Sequence, residues 1–219
     1  MGSEINLLKN YPRTVRNTSK RKLEKNKQII KIAKEYGREY FDGERKYGYG
    51  GYFYNPIYWS QVVKDFINYY NLNNDSSILD IGCAKGFMLY EFKKILPGLK
   101  IRGIDISEYA ISNAKPEVKT FLDLGNANDL PYETDSFDLI ISIVTLHNLK
   151  KDDLSKAIKE INRVSKKNSY ITLDAYENEE QKTEMENWNL TAETVMSTSD
   201  WKIFFTRNKF NGDYYWFMP

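Results

Sequence analysis

Short apolar runs and amphipathic stretches take turns along the chain from residue 57 to its end. Tyr58 to Tyr70 carries apolar side chains at helical spacing, an Asn-Asn-Asp-Ser-Ser turn follows, and SILDIG (77–82) is a compact apolar run closed by glycine. Phe87 to Leu96 is amphipathic and stops at Pro97-Gly98. The runs 100–107 and 118–124 read as a second and a third strand, with a helix from Glu108 to Ala114 between them. FDLIISIVTL (137–146) is apolar almost throughout, as a central strand covered on both faces must be. Asp152 to Ser165 is helical, 169–176 is a fifth strand, and Glu179 to Leu190 is a further helix. Trp201 to Thr206 and Tyr214 to Phe217, parted by Asn211-Gly212-Asp213, predict a closing antiparallel hairpin.

Strands alternating with helices predict an α/β fold: a doubly wound sheet, mostly parallel, with that C-terminal antiparallel hairpin. Ligands of such sheets sit beyond the carboxyl ends of the strands, so reactive residues are sought just after them. The first 56 residues read differently. Segment 19–40 suits one amphipathic helix with a solvated basic face, and residues 43–56, GERKYGYGGYFYNP, form a glycine-rich loop lined with aromatics. The expected division is a basic helical arm with an aromatic lid over residues 1–56 and a catalytic domain over residues 57–219.

Charge sharpens that division. The 219 residues carry a net +2, yet residues 1–50 hold 13 Lys and Arg against 6 Asp and Glu. So balanced a total excludes a surface built throughout to track nucleic acid. One cysteine, Cys83, and one histidine, His147, exclude an internal disulfide and a Cys/His zinc site, and they suit a reducing compartment. No run approaches the roughly 20 apolar residues of a spanning helix, and the polar N-terminus lacks a signal pattern. A cytoplasmic protein that avoids membranes is the expectation.

The richest text is Ile78-Leu79-Asp80-Ile81-Gly82-Cys83-Ala84-Lys85-Gly86, an apolar strand and a small-residue turn ahead of a helix. Such a turn brings backbone N–H groups close to a ligand. A dinucleotide fingerprint laid on Gly82 wants glycine where Ala84 and Phe87 stand, and a P-loop wants Ser or Thr after Gly-Lys, so both readings fail.

The turn resembles the first motif of class I S-adenosylmethionine-dependent methyltransferases, apolar-apolar-Asp-apolar-Gly-x-Gly-x-Gly, with Ala84 in place of the middle glycine. Asp105 follows the second strand where that family holds an acidic residue for both ribose hydroxyls; a carboxylate accepts from two O–H donors, although capping the next helix is an alternative role. Gly125-Asn126-Ala127-Asn128-Asp129-Leu130-Pro131, followed by Ser136-Phe137-Asp138, resembles the adenine-contacting stretch, with Asn126 where Asp is usual. The resemblance implies a Rossmann-like fold, S-adenosyl-L-methionine as cofactor, and binding positions at Asp80, Gly82, Cys83, Ala84, Gly86, Asp105, Ile106, Asn126, Ala127 and Ser142.

The acceptor is read from what surrounds this frame. Methyl transfer to an alcohol needs an aligned nucleophile and a proton acceptor. His147, just after the fourth strand, has an ordinary pKa near 6.5 and is the expected catalytic base, or else packs against the next helix. Asp174 and Tyr176, after the fifth strand, are the other candidates for the base and are expected to bind substrate, Asp174 equally by orienting an acceptor hydroxyl. No carboxylate cluster argues for a required metal, and no Asn-Pro-Pro-Tyr text argues for methylation of a nucleic-acid base. Tyr47, Tyr49 and Tyr52, with Trp188-Asn189 and Gly212-Asp213-Tyr214, resemble a subgroup associated with bacterial capsule and lipopolysaccharide synthesis. That resemblance implies an O-methyltransferase acting on a nucleotide-sugar or other small polar acceptor, with Arg13, Arg16, Arg21 or Arg45 meeting a diphosphate. Packing of the arm is the alternative role for the tyrosines. Amine methylation and RNA binding through the arm are the rival readings, and a homodimer is compatible with either enzyme.

Overall fold

The computed structural model describes residues 2–12 and 17–218. Arg13 and Arg16, named above as anion ligands, lie outside the described residues. Seven strands, β1 (Ser77–Ile81), β2 (Lys100–Asp105), β3 (Leu122–Leu124), β4 (Phe137–Ile143), β5 (Ser165–Tyr176), β6 (Met196–Ser197) and β7 (Asp213–Phe217), form one sheet. Its order is β3-β2-β1-β4-β5-β6, with β7 also paired to β5. The sequence order reverses between β1 and β4, which is where a doubly wound sheet opens its ligand crevice.

Both faces of the sheet are covered, and alternation along the strands decides which residue meets which cover. Ile78, Leu139, Ile141 and Tyr170 pack on one side with Val62, Val63 and Phe66 of α4 (Pro56–Tyr70) and Met88, Leu89 and Phe92 of α5 (Phe87–Ile95). Leu79, Ile81, Ile140, Ile171 and Leu173 face the other side, against Leu154, Ile158 and Ile161 of α7 (Lys151–Val164). That is why 137–146 reads as unbroken apolar text.

The C-terminal antiparallel hairpin is not formed. Residues 201–206 belong to a helix, α9 (Thr198–Arg207), and β7 runs parallel to β5, from Tyr170 opposite Asp213 to Asp174 opposite Phe217. Trp201, Phe204 and Phe205 recur at helical spacing and are buried on one face, while the Ser197 side chain accepts from Asp200 N–H and caps the start. A helix between two strands carries the chain back across the sheet, so the strand after it enters in the same direction. Every strand-to-strand pairing among the described residues is parallel.

The single helix expected over 19–40 is three short ones: α1 (Thr18–Glu24), α2 (Lys27–Lys34) and α3 (Arg38–Asp42). Asn26 breaks the first junction, since its side chain accepts from Gln28 and Ile29 N–H and starts a new helix. The second break follows Tyr36, whose φ is +48°, at Gly37. The third strand is shorter than predicted because Lys119–Phe121 forms a 3-10 turn. The remaining helices are α6 (Glu108–Ser112) and α8 (Glu179–Trp188). The arm is tied to the sheet: Ile5 N–H donates to the Tyr214 carbonyl at 2.9 Å, and Leu7 and Leu8 join the core beneath α4. Among the described residues no helix is long and apolar enough to cross a membrane.

Candidate active site

The turn after β1 is shaped by steric exclusion. Gly82 has φ +80°, and a Cβ there would lie 2.1 Å from Thr145 Oγ1 and 2.4 Å from its Cγ2, so only glycine fits. Gly86, at φ +73°, starts α5 and lets the helix N-terminus close over Val118 and Leu122. Ala84 holds φ +48°, a left-handed conformation costing roughly 1–2 kcal/mol for a residue with a Cβ. Its N–H is what that conformation aims: it donates to Asp105 Oδ2 at 2.8 Å.

Asp105 Oδ1 accepts from Ser107 N–H at 2.8 Å, so each carboxylate oxygen is anchored once and keeps a lone pair for a ligand hydroxyl. Burial raises the pKa of Asp105. Asp80, nearly fully buried at the end of β1, is pushed up to about 7 by burial and then by the charge of Asp105. A buried acid, Asp80, and a half-buried one, Asp105, beside a glycine turn form a site short of one positive charge and of hydroxyl donors. A sulfonium nucleoside carrying an ammonium group and a ribose supplies both, so these residues suit S-adenosylmethionine.

One cavity of about 920 Å³ connects this turn to the acceptor side. Asp80, Gly82, Cys83, Ala84, Asp105, Ile106, Asn126 and Ala127 line it, as do Arg45, Tyr49, Tyr52, His147 and Asp174. Four expected residues do not. Ser142 is fully buried behind the turn, its hydroxyl donating to the Ile81 carbonyl at 3.0 Å and tying β4 to β1. Tyr47 packs with Ile29 and Leu190 under the arm, the role left open for the tyrosines. Tyr176 lies past the pocket, with Lys182 Nζ 5.8 Å from its ring centre. Gly86 shapes the turn from outside the lining.

His147 sits in a 3-10 turn, Leu146–Asn148, and is 2% exposed. Its Nδ1 accepts from the backbone N–H of Asp174 at 3.2 Å. The ring proton therefore resides on Nε2, 3.6 Å from Asp174 Oδ2. In this arrangement Nδ1 is engaged by the Asp174 N–H while the ring lines the cavity. The imidazole lies against the Asp174 carboxylate. Asn189 donates its amide to the same Oδ2, while Asp174 Oδ1 is buried with no hydrogen-bond partner. Asn148 Oδ1 is likewise unpartnered.

Sequence reasoning missed several contributors. Trp188 and Asn189 are marked only through the subgroup resemblance, Asn148 has no role read from the sequence, and Tyr11, Tyr36 and Trp59 reach the cavity from three further segments. Lys85 was legible only as a loop residue. It donates to both Asp42 oxygens, at 2.8 and 2.6 Å, and to the Tyr52 carbonyl at 3.0 Å, locking the arm onto the glycine turn.

Comparison with known proteins bears on this arrangement. A family model described as a methyltransferase domain matches residues 72–212. The mitochondrial arginine-hydroxylase NDUFAF5 of Mus musculus is 35% identical over 89 residues, 40% of this chain and 25% of that protein. Norajmaline N-methyltransferase of Rauvolfia serpentina is 27% identical over 129 residues, 53% of this chain and 43% of that enzyme. The chain spans between 25% and 59% of the length of the curated relatives it matches. Among solved structures, the YcgJ protein of Bacillus subtilis superposes with a TM-score of 0.54 at 24% identity, covering 67% of this chain and 66% of that one. Phosphoethanolamine N-methyltransferase 2 of Haemonchus contortus, in complex with phosphomonomethylethanolamine and S-adenosylhomocysteine, gives a TM-score of 0.60 at 17% identity, covering 80% and 44%. These structural likenesses establish the fold alone. The family match rests on sequence, and by it the chain belongs to the methyltransferase domain family, of the class I type that uses S-adenosylmethionine.

Proposed function

We propose that the chain methylates a sugar hydroxyl, the acceptor being a nucleotide-activated hexose or heptose used for capsule or lipopolysaccharide. One observation carries this reading: the cavity at the glycine turn continues into a chamber walled by Tyr49, Tyr52, Trp59 and Trp188 and bordered by Asp174. A sugar ring has apolar faces that lie against aromatic rings, and hydroxyls that need acceptors. The single buried Cys83 suits the reducing cytoplasm that goes with such an acceptor.

Bound at the turn, the cofactor supplies an electrophilic sulfonium methyl. Asp80, Asp105 and Asn126 hold it, and the backbone of Gly82 to Gly86 shapes its seat. In this reading residues 1–56 act as arm and lid: Tyr49, Tyr52 and Arg45 close over the acceptor and exclude water. Asp174 accepts the hydroxyl proton through Oδ1 as the oxygen is methylated, and His147 and Asn189 fix its orientation.

Incubation with labelled cofactor and a panel of nucleotide-sugars, with mass analysis of products, tests the reaction. Asp174→Asn keeps the shape and removes the proton acceptor, so turnover is expected to fall by about 10²–10⁴-fold with S-adenosylhomocysteine affinity unchanged. His147→Ala is expected to cost about tenfold. A larger loss for His147→Ala than for Asp174→Asn would overturn the assignment. A second reading has support in the buried carboxylate among aromatic walls, which also suits a cationic amine, and two relatives are named N-methyltransferases. Products methylated on nitrogen, with a pH–rate profile set by the amine's own pKa, would select it.

A further inference from the structure

A second cavity, of about 460 Å³, opens beside the first. Arg21, Arg45 and Trp188 line both, so they form a shared wall. The two guanidinium carbons lie 5.0 and 5.2 Å from the centre of the Trp188 ring. The acids that line the second cavity already have partners: Glu24 is 3.8 Å from Lys20 Nζ, and Glu44 is 2.9 Å from Lys46 Nζ. Among the described residues neither arginine has a carboxylate within 4.0 Å. Arg21 is 6% exposed, with Nη1 donating to the Lys46 carbonyl at 2.8 Å, and Arg45 Nη1 donates to the Gly48 carbonyl. A guanidinium has five N–H donors, so most of the donor capacity of the pair is unused. Burial and then the charge of Arg45 push the pKa of Arg21 down. Two adjacent cations, one of them buried, are an arrangement that an anion would complete.

We propose that this shared wall is an anion gate: Arg21 and Arg45 hold a diphosphate of the acceptor, with the ring to be methylated in the first cavity and the remainder in the second. The proposal rests on the reading that the acceptor occupies the first cavity. Planar, forked donors that share one flat indole suit a diphosphate better than a single compact anion, because two phosphoryl groups can each engage one guanidinium.

Calorimetric titration with inorganic phosphate, pyrophosphate and a nucleoside diphosphate separates the sources of the anion. Pyrophosphate and the nucleoside diphosphate are expected to bind the wild type more tightly than phosphate does. Arg45→Gln and Arg21→Gln are each expected to weaken them about tenfold or more, as loss of a charge-assisted hydrogen bond does. Lys156→Gln, on α7 away from both cavities and paired with Asp153, is expected to change affinity less than threefold. S-adenosylhomocysteine titration of every variant verifies folding. Equal losses for Lys156→Gln and the arginine variants would reveal diffuse electrostatics and overturn the gate. Phosphate binding as tightly as pyrophosphate would overturn the bridging arrangement. Anion binding without any methylated nucleotide-sugar would overturn the sugar reading and leave the gate standing, whereas methylated product without anion binding would do the reverse.

Discussion

Asp80 shows how one residue can make cofactor affinity depend on pH. Burial and Asp105 hold its pKa at about 7 in the ligand-free chain, so near neutrality it is partly protonated and meets an ammonium without full charge. Affinity for S-adenosylhomocysteine, which keeps the ammonium, is expected to rise between pH 6 and pH 8 and to level off above that. Below pH 7 the slope approaches tenfold per unit, because one proton leaves for each ligand bound. The sign for stability is opposite: a carboxyl whose folded pKa is raised binds an extra proton between about pH 4 and pH 7, so its contribution to the ligand-free fold falls as pH rises through that window. Isothermal titration from pH 6 to 8.5 checks the first statement, with Asp80→Asn expected to flatten the curve. A flat wild-type profile would show that no cation settles beside Asp80. At this scale the cofactor side was legible because its chemistry depends on local text: Gly82 must be glycine where Thr145 crowds it, and Asp105 must follow a strand. The partner of His147 was not, because the backbone N–H that meets its Nδ1 belongs to Asp174, in another strand.

Among the elements, those set by short-range patterns came through and those set by competition did not. β1, β4 and α7 follow from apolar runs or helical spacing that nothing local contradicts. Residues 201–206 are aromatic enough for a strand, but the spacing of Trp201, Phe204 and Phe205 and the Ser197 cap favour a helix, and burial of that face decides it. The arm depends on a longer-range device, the Lys85–Asp42 pair, which no spacing announces. Burial alone would raise Asp42, yet hydrogen bonds from Lys85 and Tyr109 outweigh it and hold the carboxyl below its ordinary pKa. Lys85 is nearly buried, and removing one partner of a buried pair costs about 3–5 kcal/mol. Lys85→Met is therefore expected to release the arm, speeding protease cleavage within residues 43–55 about a hundredfold, while Lys85→Met with Asp42→Leu recovers part of the loss. Unchanged cleavage in the single variant would mean that the aromatic contacts, such as Tyr52 stacked on Phe87 at 5.1 Å, hold the arm by themselves.

Across the whole molecule, apolar burial is unevenly divided. The two clusters on the faces of the sheet contain nearly all the fully buried large side chains, including Trp201, Tyr170, Phe66 and Phe92. The clusters beneath the arm are small: Ile29, Ala33 and Leu190 in one, Phe41, Ala84 and Ala110 in the other. Local opening free energy follows buried apolar area, so the arm is expected to open well below the free energy of global unfolding. Ala84 belongs to both the arm's cluster and the glycine turn, so a ligand seated on the turn also supports the arm. Hydrogen exchange read by mass spectrometry is expected to show fast amides in α2 and α3 and slow ones in β1, β4 and β5 without ligand. At a hundredfold excess over its dissociation constant, S-adenosylhomocysteine is expected to add up to about 2.7 kcal/mol of protection to the arm, a slowing of roughly a hundredfold. A ligand that bridges turn and arm must protect both together. If protection appeared in the turn while α2 and α3 exchanged at their ligand-free rate, the arm would be a separate unit docked beside the site, and its role as a lid would fail.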